Sequence, residues 1–72
     1  MHEIRAELSA NVWRVVAELG NFVAEGDEIV ILESMKMEIP VITSVPGTLY
    51  DLFVEEGDSV REGDLIANID ER

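Results

Sequence analysis

The eight residues Gly20-Asn21-Phe22-Val23-Ala24-Glu25-Gly26-Asp27 return 37 positions later as Gly57-Asp58-Ser59-Val60-Arg61-Glu62-Gly63-Asp64, with five of the eight identical. The likeness extends outward. Ile29 falls opposite Ile66, Leu32 opposite Ile69 and Glu33 opposite Asp70, and upstream Val12-Trp13 falls opposite Leu49-Tyr50. A unit this short cannot bury its own apolar face, and two copies are too few for a solenoid, which needs about three stacked units. The copies must cover each other. The repeat therefore predicts an all-β, quasi-twofold sandwich or flattened barrel, and 72 residues leave room for one such domain over residues 1–72.

Turn signals divide the chain at short intervals. Glycines stand at Gly20, Gly26, Gly47, Gly57 and Gly63, and three are followed by Asp, whose carboxylate can bond nearby backbone amides. Between them lie apolar runs at Val12–Val16, Ile29–Leu32, Ile39–Thr43, Leu49–Val54 and Leu65–Ile69, rich in strand-favouring Val, Ile and Leu. In the last run Leu65, Ala67 and Ile69 are expected on one face and Asn68 on the other. No apolar stripe of helical period lasts three turns, and Pro40 and Pro46 suit strand edges or turns. A hairpin centred on Met35-Lys36 is expected to join Glu28–Ser34 to Met37–Thr43. It puts Lys36, the only lysine of the chain, at its tip.

Charge and residue usage exclude several functions. Sixteen acidic against five basic residues give a net charge of −11, which opposes contact with nucleic-acid phosphates or an anionic membrane. There is no cysteine, so disulfides, thiolate metal sites and a cysteine nucleophile are absent. No stretch has the length and apolarity of a membrane span or signal sequence, so a cytoplasmic protein is expected; the domain pattern starts almost at Met1 with no Pro/Ala-rich linker, so a stand-alone protein is expected as well. His2 is the only histidine and has no nucleophile beside it in sequence, which speaks against an enzyme. The acidic stretches Glu55-Glu56-Gly57-Asp58 and Glu62-Gly63-Asp64 lack the spacing of an EF-hand and read as equivalent β-turns.

The residues around the lysine are Glu33-Ser34-Met35-Lys36-Met37-Glu38-Ile39. With the Gly-Asp turns on either side and Pro46-Gly47 downstream, this segment resembles the biotinyl domain of biotin-dependent carboxylases and decarboxylases, whose acceptor lysine lies between two methionines. The resemblance runs from about Val12 to Ile69 and includes the small stand-alone bacterial biotin/lipoyl attachment proteins. It implies a flattened β-barrel of two four-stranded sheets with quasi-twofold symmetry and a tight hairpin presenting the lysine. It also implies biotin bound covalently to Lys36, with Met35 and Met37 as flanking recognition residues and Glu33 and Ser34 as further members of the site. The implied partners are a biotin protein ligase, a biotin carboxylase and a carboxyltransferase, between which such a carrier shuttles carboxybiotin without catalysing either half-reaction.

Three residues or segments depart from the family pattern. Ser34 stands where alanine is common, Asn11 stands where a turn glycine is frequent, and the short Glu18-Leu19-Gly20 loop leaves no room for the protruding thumb of some members. Lipoate is the alternative cofactor, with a lipoate ligase as partner, either alone or in dual acceptance. Lipoyl domains usually have an acidic residue where Met35 stands, which favours biotin. A module that acts unmodified is the remaining alternative, and it predicts that Lys36→Arg is harmless.

Overall fold

The computed structural model describes residues Met1 to Arg72 and contains eight strands and no helix. They are β1 (His2–Arg5), β2 (Ala10–Val15), β3 (Phe22–Val23), β4 (Glu28–Ser34), β5 (Met37–Ile42), β6 (Gly47–Leu52), β7 (Ser59–Val60) and β8 (Leu65–Asp70). They form two four-stranded antiparallel sheets, ordered β1-β8-β6-β3 and β5-β4-β2-β7. A shift of 37 residues carries β1 onto β5, β2 onto β6, β3 onto β7 and β4 onto β8, so it superposes one sheet order on the other. The repeat is thus the twofold relation between the sheets.

The relation holds at the level of single hydrogen bonds. Ala6 N donates to Asp64 O at 2.9 Å and Thr43 N to Asp27 O at 3.0 Å; Gly20 N donates to Leu49 O and Gly57 N to Val12 O, both at 2.8 Å. Each Gly-Asp turn is closed alike. Asp27 Oδ2 accepts from Ala24 N and Asp64 Oδ2 from Arg61 N, both at 2.9 Å, while Gly26 and Gly63 take φ of 90° and 92°. That φ is one L side chains rarely adopt, which accounts for a glycine at each turn. Asp58 Oδ2 likewise accepts from Glu55 N at 2.9 Å, so these acidic segments are backbone-capped turns.

Four bulges also obey the symmetry. The register places Trp13 as the extra residue in β2 and Tyr50 in β6, Ile29 in β4 and Ile66 in β8. A bulge opposes two residues to one and breaks the alternation of faces. Ile29 and Ile66 therefore turn inward beside Val30 and Ala67, and all four are fully buried. This corrects the simple alternation expected for Leu65–Ile69, where Ile66 joins the core and Leu65 is half-buried. The core is a single cluster of Val, Ile, Leu and Ala drawn from both copies, including Val12, Leu32, Leu49 and Ile69. Full burial of each large aliphatic side chain is worth about 1.5–3 kcal/mol.

Other boundaries differ from the expected ones for local reasons. β5 ends at Ile42, because Thr43 is buried and its hydroxyl donates to Val45 O at 2.6 Å, turning the chain. Asn11 lies within β2, opposite Glu33 and Ser59, and not in a turn. β1 has only Ile4 as a core residue, and β3 and β7 are two residues long, too short to carry an apolar period. Pro40 lies on β5, an edge strand, where a missing amide hydrogen is tolerated.

Candidate functional site

β4 and β5 are joined by two residues, Met35 and Lys36, between the paired Ser34 and Met37. Both have positive φ, 54° and 65°, as a type I′ turn requires. That turn matches the twist of the flanking strands, but Asn and Gly are its usual occupants, and each ordinary L residue there costs about 1 kcal/mol. The ladder of six cross-strand pairs from Glu28↔Ile42 to Ser34↔Met37 holds the tip in this shape. Replacing Met35 by Asn is expected to raise stability by about 0.5–1 kcal/mol. Chemical denaturation, which should move to higher denaturant, checks this.

The turn pushes its side chains into solvent. Met35 is 91% and Met37 64% exposed. Lys36 is exposed, and its amine makes no hydrogen bond or ion pair. Glu33 is one rung below the tip, directly opposite Glu38 on β5 and next to Asn11 on β2. Two like charges so placed repel each other, and neither has a cationic partner. Ser34 is half-buried under the turn. The structure thus gathers Glu33, Ser34, Met35, Lys36 and Met37 at one end of one sheet.

Sequence reasoning missed two neighbours. Beside the hairpin an open cleft of about 410 Å³ is lined by Ser9, Asn11, Glu33, Ser34, Lys36 and Ser59, among others. The Ser59 hydroxyl donates to Asn11 Oδ1 at 3.0 Å, tying β7 to β2 there. The available signal was the repeat itself, since it pairs Ser59 with Phe22 and marks a place where the two ends differ. His2, on β1 of the other sheet, shares a 3.2 Å hydrogen bond with Ser44 Oγ. Nothing at the hairpin resembles a nucleophile–base pair. What the tip offers is an exposed, unpartnered primary amine on a two-residue turn.

Two twofold-related sheets with a lone lysine at a hairpin tip define the class of biotin/lipoyl attachment folds. The family model Biotin_lipoyl, described as "Biotin-requiring enzyme", matches residues 4–69. The chain belongs to this family. The match begins upstream of Val12 because β1 completes the sheet that β8 and β6 form. The chain is 48% identical over 67 residues to the "Biotinylated protein TB7.3 homolog" of Mycobacterium leprae, covering 93% of this chain and 94% of the relative. It is 36% identical over 66 residues to the "Biotin/lipoyl attachment protein" of Bacillus subtilis, covering 92% and 90%. Among solved structures, the urea carboxylase of Kluyveromyces lactis superposes with a TM-score of 0.89 at 35% identity, over 94% of this chain and 6% of that one.

Proposed function

We propose that Lys36 is the attachment point of biotin and that residues 1–72 act as one non-catalytic carrier unit of a biotin-dependent carboxylation system. The observation that carries this reading is the Lys36 amine, exposed and unpartnered on a turn held in positive φ. The site fits the group: an amide must form at an amine that a ligase can reach, and no side chain competes for Nζ. In the ligation, Lys36 Nζ attacks the activated carboxyl carbon of biotin, the activating group leaves, and nitrogen loses its protons down to one. The chain becomes one charge more negative. When bound, biotin supplies a ureido nitrogen that accepts and releases a carboxyl group.

The remaining roles belong to this chain's own residues. The β4–β5 ladder fixes where the arm starts, so delivery within an assembly is intramolecular and effective concentration is high. Met35 and Met37 offer flexible, polarizable contacts suited to a surface that meets a biotin ligase, a biotin carboxylase and a carboxyltransferase in turn. Glu33 borders the tip and suits a cationic group on such a partner, and Ser34 packs beneath the turn. ATP-dependent ligation fits a cytoplasmic carrier, and no helix of the chain is long and apolar enough to cross a membrane.

Lipoate is the second reading, favoured by the name of the Bacillus subtilis relative. Met35 preceding the lysine argues for biotin. Intact mass after parallel reactions with a biotin ligase and a lipoate ligase separates the two. The expected result is one biotin per chain, and addition of lipoate alone would transfer the carrier to lipoyl-dependent chemistry.

A further inference from the structure

The twofold relation supplies an internal comparison for every surface position. On the outer face of the β2–β4–β5 sheet, Arg14, Ile31 and Pro40 lie on one cross-strand rung, with Trp13 as the adjoining bulge residue. Shifted by 37, the same positions on the other sheet are Asp51, Asn68, Glu3 and Tyr50. There Asn68 Nδ2 donates to Asp51 Oδ2 at 3.0 Å, and the rung is polar, with Asn68 half-buried and its Oδ1 unpartnered. On the lysine side an Ile and a Pro replace an Asn and a Glu without need of the fold. Ile31 packs against no part of the core cluster, Pro40 is exposed, and Trp13 remains 42% exposed with the Arg14 guanidinium 5.0 Å from its ring centre.

We propose, resting on the reading of Lys36 above, that this patch is a resting site for the biotin ring on the carrier itself. Three observations fit that ligand. The first is reach. Ile31 lies four residues along β4 from the turn, about 13 Å at ~3.3 Å per residue. From Lys36 Cα to the ring of a biotinyl-lysine runs a chain of about eleven bonds, roughly 14 Å when extended at ~1.25 Å of advance per bond. The second is apolarity: Trp13, Ile31 and Pro40 present apolar side chains to the thiolane half of the bicycle. The third is polarity. The ureido group has one acceptor oxygen and two N–H donors, and the patch is edged by the Arg14 donor and by the Glu33 and Glu38 acceptors, the rung that lies between it and the lysine. A second copy of the chain is a poor occupant, since each copy carries a net charge of −11.

Tethering makes a weak site sufficient. A short flexible linker holds its ligand at about millimolar effective concentration, so millimolar intrinsic affinity gives about half occupancy and leaves the ring free to depart.

Trp13 is the only tryptophan, so its emission reports on the patch alone. The experiment compares the biotinylated chain, its loading confirmed by mass, with the unmodified chain. It uses acrylamide quenching of Trp13 and an Ile31→Asn/Pro40→Glu variant built from the residues the other sheet tolerates. Loading is expected to lower the quenching constant about two-fold in the parent, as half occupancy requires, and to leave it unchanged in the variant. A fully loaded parent whose quenching equals that of the unmodified chain overturns the resting site while leaving Lys36 as acceptor. An equal drop in parent and variant, with unfolding curves showing the variant folded, overturns it as well. A failure to load overturns the reading of Lys36, and the resting site falls with it.

Discussion

A Lys36→Arg variant takes up no biotin in a ligase reaction that loads the parent chain completely, and it unfolds at the same temperature. Both halves of this result follow from the turn. Lys36 is exposed, lies outside the core and makes no hydrogen bond or ion pair, so its replacement by another long cation leaves the core and the β4–β5 ladder untouched. Exposed substitutions of this kind usually change stability by less than about 0.5 kcal/mol. The guanidinium keeps its charge but is too weakly nucleophilic to form the amide. Loss is therefore complete and not graded, with the adduct peak at background in the intact mass spectrum and the thermal transition by circular dichroism unmoved. A variant that still loads would locate the attachment away from the hairpin.

The largest expected effect on stability lies at Gly47, far from the lysine. Gly47 opens β6 and pairs with Val23, and its backbone passes close against β8. A Cβ built there meets the Asp70 carbonyl, and lies 2.7 Å from Ile69 Cγ2 and 2.9 Å from the Asp70 carbonyl carbon. Two of these contacts are backbone atoms of a paired strand, which cannot rotate away, and Ile69 is fully buried. Gly47→Ala must either displace β8 or break the β3–β6 pairing. Overpacking of this kind costs about 1–3 kcal/mol, and backbone involvement places the substitution at the upper end. For a domain this small such a loss lowers the unfolding midpoint by roughly 10–20 °C. Differential scanning calorimetry reads it directly, and a midpoint within a few degrees of the parent would show that the strands separate more easily than described.

Much of the architecture is legible in the sequence because it is written twice. The Gly-Asp turns and the five central runs follow from patterns that the second copy repeats, whereas the tip position of Met35-Lys36, which has no counterpart in the other copy, follows from the runs on either side of it; the observed hairpin spans Glu28–Ser34 and Met37–Ile42. What escaped was whatever lacks a period. β3 and β7 have two residues each, and β1 offers one core residue among polar neighbours. The bulges at Trp13, Ile29, Tyr50 and Ile66 invert the expected faces, and nothing in composition announces an extra residue in a ladder. At the site, the lysine and its methionines are visible because they are local in sequence. Asn11 and Ser59 are 48 positions apart and reach the hairpin only through the β2–β7 pairing, which no local pattern encodes.

The same duplication separates the positions the two copies share from those they do not. Positions that match between copies serve the turns and the core, as Asp27 and Asp64 or Ile29 and Ile66 do. At two positions that differ in kind, Ile31 against Asn68 and Pro40 against Glu3, the apolar member lies on the sheet that carries the lysine.

The most direct test is peptide mapping by tandem mass spectrometry of this protein purified from its native cells. Cleavage at acidic residues yields the segment around Ser34-Met35-Lys36-Met37. A biotinyl group is expected on Lys36 Nζ of that peptide. A Lys36 carrying lipoate in its place, or recovered unmodified from cells whose other biotin proteins are loaded, would contradict it.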